Sequence, residues 1–464
     1  MGIIITKQEL VIIGCGAGGG TAAQFARKTN RQASITIYEK GSYPQYSKCA
    51  LPYVISGDIA SPDDLIEFSK TWFQKANMDL HLNTIIKDID VKKKVITGEY
   101  SDGSVFEKSY TDLIIATGSV PSIPPIKNIM DKKTLKKQIF NIRTLDDATA
   151  ILHEIKHVKH ATVVGAGLIG MEMADCLVEH KIQVAVVEAL DQICPMLDAD
   201  IVSLLASSIK DYITIFTNHF ATEAVFTNDT LKSLIIEQRE TKKQQHIPTD
   251  LLIIATGTTP ETTIAQKAGC KIGKTGGICV NESSLTSQPH IYAVGDCTEY
   301  VDFVTQKPVQ VGLGSIAVRQ GIAAGVNAAG GTYTLPKGFL QTFTSTFFNQ
   351  EIAAVGPAFS TLKSSEMVNG KYQGSSLPEY FPGGKPILMK IAVALESGSI
   401  LSAQAIGANA AQRINTYATA MLADMRIDQL KKLETAYAPP IAPTLDTVTL
   451  VADIADMKRQ RKKK

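Results

Sequence analysis

The stretch YSKCALPYVISG, residues 46–57, sets a single cysteine, Cys49, directly ahead of a short apolar run that contains Pro52 and ends on Gly57. A redox disulfide needs a second sulfur close by, and the position five residues on is Val54. A lone thiol can still store two electrons if it cycles with a sulfenic acid or with a mixed disulfide to a small thiol. If ALPYVIS is a helix that Cys49 begins, the helix dipole lowers the thiol pKa and Lys48 adds to the effect. The competing reading is a buried, inert cysteine. That reading is adopted for Cys15, Cys176, Cys194, Cys270, Cys279 and Cys297.

Two further constellations carry chemistry, and they are copies of each other. ELVIIGCGAGGGTAAQFARK reads as an apolar strand, a glycine turn and a helix, and ATVVGAGLIGMEMADCLVEH repeats that order. Each copy is followed by a strand ending in an acid, Glu39 in ASITIYEK and Glu188 in VAVVEA, near the spacing of about 20 residues expected from the glycines. Each closes alike, in TDLIIATGSVP at 111–121 and TDLLIIATGTTP at 249–260. Gly14 permits a tight turn, Gly16 lets backbone approach a pyrophosphate and Gly19 allows close helix packing; Gly165, Gly167 and Gly170 do the same in the second copy. Both acids can accept hydrogen bonds from a ribose diol. At Glu188 a carboxylate repels a 2′-phosphate, and no Arg occurs in residues 189–193, so NADH is favoured over NADPH.

The remaining chain must position these groups. HIYAVGDCTEY, residues 290–300, ends a strand in Gly-Asp, and here the sequence resembles the FAD-dependent pyridine nucleotide disulfide oxidoreductases. The resemblance implies an α/β chain with two Rossmann-like dinucleotide-binding domains, one for FAD and one for NADH, plus an α+β C-terminal dimerisation domain. It implies a discontinuous FAD domain at 1–118 and 250–334, an NAD(P)H domain at 119–249, and a dimerisation domain with a basic tail at 335–464. Asp296 is by resemblance the acid that binds the flavin ribitol, and Gly314, Ser315 and Ala317 open the helix beneath the flavin ring. Gly18, Lys40, Ser47, Thr117 and Gly118 complete the implied site for a tightly bound, non-covalent FAD, and Gly257 joins the nicotinamide site. After about residue 337, FLQTFTSTFFNQEIAAVG and ILMKIAVALESGSILSAQAIG read as strands and AAQRINTYATAMLADM as a helix. The Gly-, Ser- and Pro-rich stretch at 364–386 reads as a loop.

The totals agree with such an assignment. A chain of 464 residues suggests two to four domains. An apolar fraction of 44%, a charged fraction of 20% and a net charge of +2 are ordinary for a globular enzyme and give no reason to expect nucleic acid. Seven scattered cysteines without C-x-x-C spacing suit a reducing cytoplasm and lead to no metal site. No apolar run reaches the roughly 18 residues of a membrane span, and a secretory signal is not supported. MGIIIT fits a loose myristoylation pattern, and the basic KRQRKKK reads as a solvated, flexible tail.

Within the resembled family, dithiol members pass electrons to a C-x-x-x-x-C disulfide and use a C-terminal His-Glu pair. Val54 rules out the first, and the last histidine here is His290. NADH oxidases and peroxidases use a sulfenic acid and carry a histidine in the first glycine turn, where this chain has Ala17. Coenzyme A-disulfide reductases lack that histidine and carry a CALPY-type segment, which CALPYVISG at 49–57 resembles. AYAPPIAP at 436–443 resembles the Y-A-P-P segment of the same branch. Tyr437 is then expected near the partner subunit's flavin, donating a proton to a leaving thiolate; its alternative is interface packing.

Three departures qualify the likeness: Leu168 replaces an aromatic shield, Lys48 replaces a common Asn, and Leu445 falls where a base is common. Thr21, Lys28, Lys48, Lys75 and Arg413 are the candidate substrate contacts, with solvated surface charge as the alternative for the cations. The leading expectation is a homodimeric flavoenzyme that carries hydride from NADH through FAD to Cys49 and on to coenzyme A disulfide, a related thiol or polysulfide. An NADH oxidase acting on oxygen is the alternative. A redox-signalling flavoprotein is a third, invited by the basic tail alone.

Overall fold

The runs ELVII, SITIY and DLII are apolar on both faces, as strands covered on both sides must be. The computed structural model describes residues 8–131 and 134–464, so the MGIIIT pattern lies outside the described residues. Its chain divides into two compact units, one holding the residues through Ser122 with Arg143–Ala148 and Gly257–Phe339, the other holding Ile123–Ile142, Thr149–Thr256 and Leu340–Lys464.

In the first unit five parallel strands lie side by side in the order Ile291–Ala293, Asp112–Ile115, Glu9–Ile13, Ser34–Tyr38 and Asp79–His81. The helix Ala17–Thr29 is the crossover between the central strands and packs on the later helix Gly314–Ala328. Leu10, Ile12, Ile35 and Ile37 fill the core on one sheet face, and Val11, Ile13, Leu113 and Ile115 on the other. The first strand thus ends at Ile13, and the chain must turn sharply to enter its helix. That turn is the first glycine motif.

The second unit repeats the design. Strands Ile139–Phe140, Leu251–Ile254, His160–Val164, Gln183–Val187 and Ile213–Phe216 form another parallel sheet, with helix Leu168–Glu179 following the second glycine turn. Beyond Leu340 an antiparallel sheet runs in the order Phe343–Phe347, Gln350–Val355, Ile400–Gly407, Pro386–Ala394 and Met367–Ser375. Helices Ala410–Leu422 and Thr447–Lys463 cover it.

Three expectations change. The boundary expected at residue 250 moves to 257, because Leu251–Ile254 pairs with His160–Val164 in the second sheet. The expected loop at 364–386 contains the nine-residue strand Met367–Ser375, paired along its whole length with Pro386–Ala394. Its glycines mark a close approach: a Cβ on Gly370 would stand 2.5 Å from the Val451 carbonyl oxygen of the covering helix. The basic tail is helical to Lys463 rather than flexible. Arg459 donates to the carbonyls of Leu395 and Glu396, just past the strand that ends at Ala394, Lys458 to that of Asn369 and Lys463 to that of Glu396. The residues of this basic end remain exposed apart from the half-buried Arg459, as a solvated tail would be. No helix among the described residues is long and apolar enough to cross a membrane.

Candidate active site

The two glycine turns are built alike to the level of single hydrogen bonds. Gly14 and Gly165 both adopt φ of +101°, and a Cβ on either would collide with the carbonyl oxygen of Ala116 or Ala255, which only glycine avoids. Gly14 N–H donates to Tyr38 O at 2.8 Å, and Gly165 N–H to Val187 O at the same distance. Gly19 and Gly170 sit against the carbonyls of Gly14 and Gly165. Around Gly16 and Gly167, by contrast, the space where a Cβ would stand is open. The uncapped helix N-termini that follow therefore face room for a ligand.

The acids complete each turn. Glu39 accepts from Cys15 N at 2.7 Å and Gly41 N at 2.8 Å; Glu188, 8% exposed, accepts from Ala166 N at 2.7 Å and Leu190 N at 2.9 Å. Backbone donors thus fix both carboxylates at the strand ends, the position from which a ribose diol is bound.

The first turn has further company within its unit. Asp296 Oδ2 accepts from Ser119 Oγ and from Arg143 Nη2, each at 3.1 Å. Gly295 N–H donates to Gln320 Oε1 at 2.8 Å, which ties the Gly-Asp turn to the helix Gly314–Ala328. Thr117 Oγ1 donates to Glu261 O at 2.6 Å, and Gly118 stands beside Arg143, where a Cβ would lie 3.5 Å from Nη2. Gly18 packs on Val294 and Ala317 is buried, whereas Lys40, Gly314 and Ser315 are exposed and Ser47 half-buried. Arg143 escaped the sequence reading: it lies in NIRTLDDA, outside every glycine motif, and only the fold brings it to Asp296.

Cys49 occupies a single 3₁₀ turn, Lys48–Ala50, and the helix proper runs only from Leu51 to Ser56. The expected helix start at Cys49 is two residues early, because Pro52 falls in the first helical turn and Gly57, with φ of +93°, ends the segment. Six residues make a weak dipole. The sulfur instead meets a longer helix: a Cβ on Gly314 would lie 3.8 Å from Cys49 Sγ, and Gly314 opens a fifteen-residue helix without a side-chain cap. That positive end favours negative charge on the sulfur.

The other cysteines contrast with it. Cys49 is exposed, Cys279 half-buried, and the remaining five buried. Burial, then Glu172, pushes the Cys194 thiol up to about 12, and burial also raises Cys270, Cys279 and Cys297. Lys48 borders open space, so it is exposed by area, yet protein atoms wall it closely. That burial, then the Arg143 guanidinium, lowers its pKa, while Glu39 and Asp296 act in the opposite sense.

Among the other candidates, Thr21 is buried within its helix, Lys28 is exposed and lies 4.4 Å from the Phe25 ring centre, and Lys75 is exposed at a helix end. Arg413 is a correction. It is 7% exposed, binds Asp446 through Nε at 3.0 Å and Nη2 at 2.8 Å, and donates to Ala408 O. A guanidinium so engaged is neither a solvated charge nor an available substrate cation. In the second unit Gly165, Gly167, Gly170 and Glu188 share one turn, while Gly257 falls in the first unit, its carbonyl accepting from Ser122 N. Tyr437 is 46% exposed, and its hydroxyl lies 2.7 Å from that of Tyr380, a partner the sequence did not reveal because a loop tyrosine carries no spacing signal. Among the described residues no group of three or more His, Cys, Asp or Glu is gathered for a metal.

Residues 8–321 match the family described as pyridine nucleotide-disulphide oxidoreductase, and residues 342–449 match its dimerisation domain. Over 460 residues, 97% of this chain and 99% of the relative, the sequence is 36% identical to the NADH oxidase of Methanocaldococcus jannaschii. It is 29% identical to the NAD(P)H sulfur oxidoreductase (CoA-dependent) of Pyrococcus abyssi, over 98% of this chain and 99% of the relative. The solved NAD-dependent persulfide reductase of A. fulgidus is similar with a TM-score of 0.90 and 32% identity, over 98% of this chain and 84% of that one.

Proposed function

The chain belongs to the pyridine nucleotide-disulphide oxidoreductase family, and we propose that, within it, this enzyme uses Cys49 to reduce a low-molecular-weight disulfide such as coenzyme A disulfide, or a polysulfide. It is an NAD(P)H-dependent flavin oxidoreductase, and the family implies FAD. The single observation that carries the reading is Cys49 itself, an exposed sulfur beside the uncapped start of Gly314–Ala328, while every other cysteine is wholly or partly buried. The names of the Pyrococcus and A. fulgidus relatives support the same chemistry.

FAD, when bound, supplies hydride acceptance from the nicotinamide and two-electron delivery to sulfur. The turn at Gly14–Gly18, Glu39, Asp296 and Arg143 would hold it, and the turn at Gly165–Gly167 with Glu188 would hold NADH in preference to NADPH. These residues make the first unit the FAD domain and the sheet around Gly165 the nicotinamide domain. The Cys49 thiolate attacks one sulfur of a disulfide RSSR, forming Cys49–S–S–R and expelling RS⁻. Two electrons then break that S–S bond, releasing a second RS⁻ and restoring the Cys49 thiolate. The balance is RSSR + NADH + H⁺ giving 2 RSH + NAD⁺. In a homodimer formed through the C-terminal domain, Tyr437 would give a proton to the leaving thiolate, and Tyr380 would hydrogen-bond the phenolate left behind.

The test is NADH oxidation by the purified enzyme against coenzyme A disulfide, pantethine, polysulfide and oxygen, with Cys49→Ser alongside. Disulfide or polysulfide turnover that the substitution abolishes supports the reading; the absence of both in the wild type removes it. The relationship to the M. jannaschii enzyme favours oxygen as a second acceptor. Oxygen uptake that survives Cys49→Ser would make oxidase activity the primary one.

A further inference from the structure

The second glycine turn is held by the segment that follows its acid. From Glu188 the chain passes back over the turn as residues 189–198 and enters the helix Ala199–Ile209. The segment is fixed at three places. Near its start, Leu190 N–H donates to Glu188 Oε1 at 2.9 Å and Leu190 O accepts from Asn218 N at 2.7 Å. Midway, Cys194 N–H donates to Ala166 O at 2.8 Å. Ala166 lies between Gly165 and Gly167, and its own N–H binds Glu188 Oε2. Both backbone groups of this turn residue are therefore set by the acid and the segment after it. Cys194 makes its contact fully buried and from a left-handed φ of +45°, a conformation that a non-glycine residue keeps only where its surroundings impose it.

The third fixing comes from the C-terminal sheet. Asp198 N–H donates to Gln404 Oε1 at 2.8 Å, and the Asp198 carboxylate binds Lys390 Nζ. Lys390 and Gln404 are paired across the adjacent strands Pro386–Ala394 and Ile400–Gly407. Lys390 Nζ also donates to Asp200 Oδ1 at 3.0 Å, and Lys371 Nζ to Asp200 Oδ2 at 2.8 Å. Asp198 is the N-cap of Ala199–Ile209, yet its side chain accepts nothing from that helix. The capping bond that an aspartate normally makes there is given up for Lys390. With side chains 14% and 13% exposed, Lys390 and Asp198 are largely out of water, where a charge left without its partner is costly. Loss of Lys390 therefore drives the Asp198 carboxylate toward its own helix or solvent, and the far end of the segment moves with it.

We propose that Lys390 is a positioning residue for the second dinucleotide site. It acts through Asp198, which keeps residues 189–198 seated on the glycine turn. The open face at Gly167, where a diphosphate approaches, and Glu188, which meets the ribose, are thereby set from the antiparallel sheet beyond Leu340. The inference rests on the reading of this turn as the nicotinamide nucleotide site. Because the segment borders the ribose acid, Lys390 governs nucleotide binding and leaves the hydride step itself alone.

The experiment uses the flavin-loaded enzyme and the variants Lys390→Met and Lys390→Arg, with Asp456→Asn, a substitution elsewhere in the C-terminal domain, as the stability control. Anaerobic stopped-flow reduction of the flavin gives the NADH dissociation constant and the limiting rate. Labelling of the native enzyme with N-ethylmaleimide, read by peptide mass spectrometry, reports opening over Cys194, with the buried Cys176 of helix Leu168–Glu179 as the reference. Lys390→Met is expected to raise the NADH dissociation constant about tenfold, as loss of one charge-assisted bond would, and to leave the limiting rate within about twofold. Cys194 labelling should rise relative to Cys176, bound NADH should slow it, and Lys390→Arg should recover most of both effects. A dissociation constant within about twofold of the wild type in Lys390→Met, or an equal rise in Asp456→Asn, overturns the proposal. A wild-type flavin that neither NADH nor NADPH reduces removes the nicotinamide reading instead, and the ratio of Cys194 to Cys176 labelling then decides whether Lys390 holds the segment.

Discussion

Replacing Glu188 by Gln should erase most of the preference for NADH that we propose its carboxylate imposes. The carboxylate is fixed by Ala166 N at 2.7 Å and Leu190 N at 2.9 Å, so it cannot swing away from a 2′-phosphate. A unit charge pair about 5 Å apart at an effective dielectric of about 20 repels by about 3 kcal/mol. The phosphate carries more than one charge and the open groove screens it, two corrections of opposite sign, so ~3 kcal/mol stands as the working figure. That corresponds to about a hundredfold in the ratio of kcat/KM for NADH over NADPH. The assay is stopped-flow reduction of the enzyme flavin at 450 nm with each nucleotide, which needs no knowledge of the final acceptor. Glu188→Gln should raise the NADPH rate far more than it lowers the NADH rate, and adding Leu190→Arg at the exposed neighbouring position should push the ratio further. A wild-type enzyme without NADH preference, or a ratio unmoved by Glu188→Gln, would refute the electrostatic reasoning.

Arg143→Met should leave Asp296 without its cation, where both side chains are about four-fifths buried; FAD retention should fall about tenfold and excess FAD should restore the thermal midpoint, whereas unchanged retention would remove Arg143 from the site. Gly370→Val should lower stability by about 1–3 kcal/mol in denaturant unfolding, because its Cβ would stand 2.5 Å from Val451 O and 2.9 Å from Ala455 Cβ; an unchanged midpoint would mean that the covering helix yields freely. Burial pushes the Asp456 carboxyl up, but Lys431 at 2.8 Å and Arg459 at 3.3 Å outweigh it and hold the group below its ordinary 3.8. A carboxyl depressed in the folded state stabilises at pH values above about 4 and loses that contribution as pH falls through its folded value. Asp456→Asn should therefore lower the thermal midpoint at pH 7, and its difference from the wild type should shrink below about pH 4; a difference independent of pH would contradict the assignment.

What the sequence made legible is what backbone geometry forces on residue type. Gly14 and Gly165 must be glycine because a Cβ has no place to go, and Glu39 and Glu188 must follow one strand later, so the motif can be read without coordinates. The Met367–Ser375 strand was hidden for the converse reason. Its glycines are there to admit a helix, and a glycine admitting a neighbour looks in sequence like a glycine making a loop. The basic helix end misled because binding backbone carbonyls 63 to 89 positions away leaves no local pattern. Arg143 belonged to the same class: its partner lies 153 residues on.

The two glycine turns share their hydrogen-bond pattern, and the proposed assignment of a retained flavin to one and an exchanging nicotinamide to the other needs a structural difference between them. The difference lies in what the rest of the chain adds. The second sheet is completed by Ile139–Phe140, which adjoins its own module in sequence, and its acid stands at the end of an ordinary strand. The first sheet is completed by Ile291–Ala293, from beyond the whole second module, and that returning strand brings Asp296, Gln320 and the helix Gly314–Ala328 with it. Arg143 arrives from a third segment to bind Asp296. A nucleotide in the first turn thus meets groups from several distant parts of the chain, and leaving would mean giving up all of these contacts at once. The same returning helix presents its positive end to Cys49. On the proposed placement of the flavin in the first turn, its retention and negative charge on the sulfur would share one structural cause, and a substitution that loosened the Gly295–Gln320 tie would weaken both together.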